Sequence, residues 1–179
     1  MENVEVDYDL MIRSQLNQLI GYGSEDTIYC RFEEDLFCQT NLWFLVYFLQ
    51  QHAKRNLVYL VRPKPDSPFS FAACNTKELV EAFQRKLEIK DTKTFSELYE
   101  YYATQQHEKL LTNAKDLSPD YPFVLPAVEA HLARNLGFNR PGKPQQIIKQ
   151  LIEENNTQKL NVIFPLFQKE AAIYGFGDL

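Results

Sequence analysis

The residues best suited to chemistry in this chain are three consecutive acids and a glutamine that follows them. Glu33, Glu34 and Asp35 come directly after a short β-branched and aromatic segment, and Gln39 lies one helical turn beyond Asp35. Carboxylates can act as general bases, and carboxylate and amide oxygens can bind a divalent cation. The same acids would stabilise a helix start without any ligand, by about 0.3 to 1 kcal/mol each. A ligand site and a helix cap are therefore both open interpretations.

Three polar residues in a row, Gln39, Thr40 and Asn41, interrupt the apolar pattern that follows the acids. A polar side chain inside a buried helix needs hydrogen-bond partners, so this interruption favours a polar lining. We therefore predict a ligand-binding site formed by Glu34, Asp35, Gln39 and Asn41. If the protein is an enzyme, its candidate catalytic residues are Asp35 and Glu34. No cofactor is evident and no specific metal site is predicted, but a divalent cation could bind the carboxylates.

The other reactive residue types lack catalytic or metal-binding spacing. The histidines do not have zinc-ligand spacing, and we interpret His131 as a packed or surface residue rather than a general base. Three cysteines without CxxC spacing predict buried thiols and a reducing, cytoplasmic location; they are Cys30, Cys38 and Cys74. The chain has 6 glycines and no dinucleotide or Walker-type spacing, which excludes a glycine-rich phosphate loop.

Charge and hydropathy restrict the partners of the chain. It has 19 Lys and Arg against 24 Asp and Glu, and this net charge of -5 argues against broad electrostatic binding to nucleic acid or to an anionic membrane. The longest apolar run, 42–49, is far shorter than the about 20 residues of a membrane span. The N-terminal residues do not resemble a secretory signal. We expect no membrane partner, no nucleic-acid partner and a cytoplasmic location.

A strand–helix–strand pattern positions the acidic segment. Residues 27–32 are typical of a short strand, 35–54 of a long apolar helix, and 57–61 of an almost wholly apolar strand that is covered on both faces. This βαβ unit predicts two parallel strands joined by a right-handed crossover. The acids would then lie at the carboxyl edge of the sheet, where ligands bind in open α/β folds.

The remainder of the chain is predicted to be mostly helical. We expect helices at 7–20, from 75 or 76 to 87, from 91–94 to the proline-containing break at 118–122, and at 123–135, 145–155 and 160–171. The predicted fold class is α/β, with a small parallel sheet built on the βαβ unit and a predominantly helical C-terminal half. The predicted domains are an α/β core segment at 1–74, a helical segment packing on it at 75–135, and a small helical, winged-helix-like tail at 136–179.

Two parallel strands are too few for a stable sheet, since three or more are normally needed. After the second strand, the only further strand candidate in the sequence is 69–73. We therefore expect the sheet to be completed by a second copy of the chain, as a homodimer, or by a missing N-terminal partner segment.

Several motifs resemble those of one bacterial family. Asp35, Leu36 and Phe37 followed by Gln39 match an Asp-Leu-Phe-x-Gln motif, 76–86 and 121–132 match two helical segments, and the ending YGFGDL matches an aromatic-Gly-Asp motif. Over about four-fifths of its length the chain resembles the family named only as a domain of unknown function, DUF eighteen thirty-five. The resemblance implies an α/β fold and no activity. Because family members usually start with an additional α/β segment, it also implies a core whose usual start is missing or divergent.

Three functions fit these observations. The leading hypothesis is a ligand-binding or regulatory domain with its pocket at the carboxyl edge of the sheet. One alternative is a metal-dependent hydrolase or transferase acting on a phosphorylated or nucleotide substrate, with Asp35 or Glu34 as metal ligand or general base. The other alternative is a homodimeric interaction scaffold that uses an exposed sheet edge and Tyr- and Phe-rich helices.

Overall fold

A computed structural model of the chain describes residues 8–23, 25–52, 56–65, 67, 69–134 and 140–176. Within these residues the helices are α1 Tyr8–Gly21, α2 Leu36–Gln51, α3 Thr76–Gln84, α4 Thr92–Ala103, α5 His107–Leu117, α6 Val124–Arg134, α7 Lys143–Asn155 and α8 Leu160–Glu170. The strands are β1 Thr27–Arg31, β2 Leu57–Val61 and β3 Leu87–Glu88. A 3₁₀ turn, Ala172–Tyr174, follows α8.

The sheet is small and mixed, with the strand order β1-β2-β3. β1 and β2 are parallel and in register, from Thr27 opposite Leu57 to Arg31 opposite Val61. The predicted βαβ unit and the α/β fold class are thus confirmed. β3 pairs antiparallel with β2 and makes a third strand from within the chain.

The third strand does not come from the predicted candidate, 69–73, which is in turns and bends. The amide of Phe71 donates a hydrogen bond to a Glu33 carboxylate oxygen at 2.7 Å, so it does not join a strand ladder. The third strand is β3, whose first residue, Leu87, was predicted as the end of the helix that starts at 75 or 76. Two residues are too few to display the alternation that identifies a strand.

One face of the β1–β2 pair packs on the core, and the other is only partly covered. Cys30, Val58 and Leu60 are buried in the hydrophobic core together with Leu42 of α2. Residues of opposite parity point to the other side of a strand, and there Leu57 is 52% exposed while Val61 is 3% exposed. The prediction that β2 is covered on both faces therefore holds at its carboxyl end and fails at its start, because a short apolar run does not reveal how far a second layer extends.

The helical half follows the sequence pattern with one exception. The single helix predicted between 91–94 and the break at 118–122 is two helices, α4 and α5, which are separated at 104–106. Gln105 adopts a positive φ of 57° at this break. The sequence carries no glycine or proline there, and the apolar periodicity continues on both sides, so the pattern does not mark the break.

The tail contributes α7, α8 and the 3₁₀ turn, and residues 140–176 contain no strand that could form a wing. Its buried residues belong to the same hydrophobic cluster as those of the other two predicted segments; examples are Leu42, Val128 and Phe167. The boundaries after 74 and after 135 stay predictions. Among the described residues, no helix combines the length and the apolar character that crossing a membrane requires.

Candidate functional site

Asp35 is the N-cap of α2. Its side chain accepts a hydrogen bond from the Cys38 amide at 3.0 Å, and its backbone is extended, with φ -73° and ψ 160°. This is the usual geometry of a capping acid, which satisfies one of the free amides of the first turn. The capping interpretation of Asp35 is therefore correct, and the residue is only 3% exposed.

Glu34 forms an ion pair with Arg62, which lies directly after β2. The distance from Oε1 of Glu34 to Nη1 of Arg62 is 2.8 Å. Burial raises the pKa of Glu34, and the adjacent guanidinium acts in the opposite direction. The same guanidinium lies 4.8 Å from the ring centroid of Phe123, just before α6. Glu34 thereby helps to connect the ends of β1 and β2 to the helical half.

Glu33 holds two further segments in place. Its carboxylate accepts the Phe71 amide, and its backbone carbonyl accepts a hydrogen bond from Nε2 of Gln39 at 2.8 Å. The sequence did not single out Phe71, because no local pattern relates it to an acid so far away in the chain. The acidic trio thus organises the loops at the carboxyl edge of the sheet.

Of the predicted site residues, Gln39 joins the acids and Asn41 does not. Gln39 is 0% exposed, and its Oε1 has no hydrogen-bond partner among the described residues. Asn41 is exposed and donates from Nδ2 to the carbonyl of Phe37 at 2.9 Å. Side chains two positions apart on a helix are rotated by about 200° about its axis, so Gln39 and Asn41 cannot line one site.

Gly175 lies against this loop from the far end of the chain. It follows the 3₁₀ turn with a φ of +66°, and a Cβ at this position would overlap the Asp35 carboxylate and approach Cβ of Phe37 to 2.9 Å. The sequence indicated only a tight turn here. The remaining residues of the predicted Gly-Asp ending, 177–179, lie outside the described residues.

Three potential metal ligands are close together in the same loop. One ligand atom each of Glu33, Asp35 and Cys38 lie within 4.8 Å of one another. Burial raises the pKa of the Cys38 thiol to about 12, with a smaller contribution from the Asp35 charge. A cation would therefore have to displace the thiol proton or bind the carboxylates alone. The grouping is compatible with a divalent cation and does not indicate which one.

An apolar groove lies at the same edge of the sheet, on the face opposite the hydrophobic core. Its volume is about 670 Å³, within the range of about 300 to 1,000 Å³ that is typical of small-molecule sites. Its floor contains Arg31 and Val61, the last residues of the two parallel strands. The other walls come from the 69–74 segment and α3, and they include Phe71, Leu79, Val80 and Phe83.

Sequence reasoning missed this groove, although α3 carried a signal. Leu79, Val80 and Phe83 lie on one short helix and are all substantially exposed. Contiguous exposed apolar residues of this kind mark binding surfaces. The Tyr29 ring extends the apolar surface, 5.1 Å from Phe83 between centroids. Arg31 is the only charged residue among the described lining residues.

Comparisons of the chain with family models, with curated proteins and with solved structures found no match. The resemblance to DUF eighteen thirty-five therefore stays a prediction based on the motifs quoted above.

Proposed function

We propose that this protein is a ligand-binding or regulatory domain whose site is the apolar groove at the carboxyl edge of the sheet. One observation carries the proposal: Arg31 and Val61, which end the two parallel strands, line the same groove as Leu79, Val80 and Phe83 of α3. Open α/β sheets bind ligands outside the carboxyl ends of their strands. The groove therefore has both the position and the size of a ligand site.

The lining indicates the class of ligand. Its walls are mainly aliphatic and aromatic, so most of the ligand surface must be apolar. Arg31 adds one positive charge, and the Nζ of Lys86 lies 5.0 Å from the centroid of the Phe83 ring nearby. We infer an amphipathic anion, with an apolar body in the groove and an acidic group beside Arg31.

The acidic trio then has a positioning role in place of direct ligand contact. Glu33 fixes the backbone of Phe71, which lines the groove. Glu78, which closes the capping box with Asn75 at the start of α3, also forms an ion pair with Lys64, whose Nζ lies 3.1 Å from its Oε1. These polar contacts attach the 69–74 segment and α3 to the segments that follow β1 and β2. The free thiols further support a cytoplasmic location.

The direct test is a fluorescence titration with anilinonaphthalene sulfonate, an aromatic anion of suitable size. Val80→Glu places a charge in the groove at a position that is 54% exposed, so the fold is retained. We expect this variant to weaken binding at least tenfold. Leu160→Glu, at an exposed apolar position at the start of α8, is the matched control and should bind as the unchanged protein does. Equal binding by all three proteins would refute the proposal.

A second candidate function is a metal-dependent enzyme, and the Glu33, Asp35 and Cys38 grouping favours it. Thermal melting with Mg²⁺ or Zn²⁺ tests it, because an ion that binds the folded protein raises Tm. Asp35→Asn keeps a good capping side chain and removes the charge, so it should abolish the rise. Asp91→Asn, at the N-cap of α4, is the matched control. The absence of a rise with either ion would leave this candidate without support.

A third candidate, the homodimeric scaffold, is favoured by the edge of β1. Within the described residues β1 pairs only with β2, and its Tyr29 is exposed. A strand with a free edge can pair with another chain. Light scattering should then give the mass of a dimer, and Tyr29→Lys should shift it to a monomer. A monomer for the unchanged protein at micromolar concentration would exclude this candidate.

A further inference from the structure

A second cavity lies among the helices, apart from the strand edge. Its volume is about 390 Å³. It is bounded by the end of α4, the turn that carries Gln105, the start of α5 at His107, and the last turn of α6 with His131 and Arg134. Neither the proposed groove nor the acidic loop uses these residues.

The cavity brings one arginine and two histidines together in a protein that is acidic overall. His131 is half-buried, and its ring lies 4.7 Å from Tyr102 and 5.9 Å from His107 between centroids. Burial lowers the pKa of His131, and the charges of Arg134 and His107 lower it further. Arg134 also acts on Tyr174 of the 3₁₀ turn, where it opposes the effect of burial on the tyrosine pKa. The two groups whose charges lower the pKa of His131, Arg134 and His107, are thus both basic.

The start of α5 adds a further attraction for anions. Gln106 is its N-cap residue and makes no side-chain cap. Its side-chain Nε2 donates instead to the Thr104 hydroxyl at 2.9 Å. The His107 amide donates to the Gln105 carbonyl at 3.0 Å, and the Gln106 side chain caps none of the following amides, which lie at the positive end of the helix dipole. Gln105 holds the preceding turn with a positive φ, a conformation that costs non-glycine residues about 1 to 3 kcal/mol and that concentrates at binding sites.

The nearby carboxylates do not neutralise this cavity. Glu108, in the first turn of α5, lines a different cavity together with Lys109. Glu129 is exposed on α6, two residues before His131, and two residues differ by about 200° around a helix. Basic residues in the last turn of α6 would complement its own dipole, which accounts for His131 and Arg134. That explanation does not account for His107 or for the cavity between the three helices.

Nδ1 of His131 is buried and lacks a hydrogen-bond partner, as do four other buried side-chain atoms among the described residues. A buried ring nitrogen without a partner is costly, and an oxygen of a bound anion would accept its proton when the ring is charged. We propose that the cavity binds a dianionic phosphate group, carried on a small organic body, through His107, His131 and Arg134.

The test follows the His131 ring by NMR during a pH titration at constant ionic strength. Inorganic phosphate is the probe, and acetate at the same concentration is the comparison for a monoanion. Phosphate should bind the protonated ring more tightly and so raise the His131 pKa, by about one unit for tenfold tighter binding. The shift should saturate with phosphate concentration. An unchanged pKa in phosphate would overturn the proposal, as would an equal shift in acetate.

Two variants locate the effect. Arg134→Gln removes one cation from an exposed side chain, and His107→Asn removes the second ring, so each should lose most of the phosphate-induced shift. Arg13→Gln, on the exposed surface of α1, is the matched control for the loss of one charge and should keep the full shift. If Arg134→Gln and His107→Asn both keep the full shift, the phosphate does not bind in this cavity.

Discussion

Gly175 packs directly against the carboxylate of Asp35, although the two residues are far apart in the sequence. Asp35 caps α2, and Gly175 follows the turn that ends the helical tail. The contact leaves no space for a side chain, so it fastens the tail to the loop that also carries Glu33 and Glu34. The carboxyl edge of the sheet is therefore built from both halves of the chain.

Gly175→Ala is expected to destabilise the protein. The alanine would have to adopt the left-handed region and would also overlap Asp35, which together should lower the free energy of unfolding by at least about 1 to 3 kcal/mol. Gly21→Ala is the control, because no atom lies within 4 Å of its Cβ position. Urea denaturation measures both. An unchanged midpoint for Gly175→Ala would contradict the contact.

Asp35→Ala should cost more stability than the corresponding change at another cap. Both Asp35 and Asp91 accept an amide from the residue three positions on, but Asp35 is buried and Asp91 is exposed. We expect losses of about 2 kcal/mol and about 1 kcal/mol in the free energy of unfolding. Asp35→Asn should lose much less, because asparagine is an equally good cap. Equal losses for Asp35→Ala and Asp35→Asn would show that capping is not its structural role.

The burial of Glu34 predicts a specific pH dependence of the free energy of unfolding. The pKa of Glu34 is raised in the folded protein by burial, so between its ordinary value and the raised value the folded chain holds a proton that the unfolded chain has released. The free energy of unfolding therefore falls as pH rises through this window. Glu34→Gln removes this contribution, and its stability relative to the unchanged protein should increase from about pH 4 upward.

The control for this pH experiment is Glu25→Gln, at an exposed position before β1. Its stability relative to the unchanged protein should vary less with pH across the same window. A stability difference for Glu34→Gln that is flat, or that decreases with rising pH, would mean that the attraction of Arg62 outweighs burial.

Two of the thiols should be nearly inert in the folded protein. Burial raises the pKa of Cys30 to about 12 and is the main cause of a pKa of about 12 for Cys38. At pH 8 roughly one thiol in 10,000 would then be ionised, and the thiolate is the reactive form. Mass spectrometry after brief iodoacetamide treatment should find both unlabelled, and both labelled after unfolding in urea. Equal labelling of Cys38 in the two states would contradict its placement.

Local sequence patterns predicted the elements and their local contacts. The βαβ unit followed from apolar and β-branched runs, and the start of α3 at 75 or 76 followed from residue type and spacing. These features depend on neighbours within one or two helical turns. The sequence could equally be read as placing Asp35 in a cap or in a ligand site, and the hydrogen bond to Cys38 establishes the cap.

The contacts that define the edge of the sheet could not be predicted in this way. The bonds from Glu33 to Phe71 and from Glu34 to Arg62 join residues that only the tertiary fold brings together. Asn41 was grouped with Gln39 because both interrupt an apolar run, but helix geometry directs them apart. The groove depends on how α3 and the 69–74 segment lie against the strand ends, and an apolar strand sequence does not show which elements lie beside it.

The central claim is that the groove between the strand ends and α3 binds an amphipathic anion. Its most direct test is NMR of methyl-labelled protein titrated with anilinonaphthalene sulfonate. The account predicts saturable shifts of the Val61, Leu79 and Val80 methyl signals, while the Leu160 signal stays unchanged. Shifts centred on residues outside the groove, or no saturable shift at these three, would contradict it.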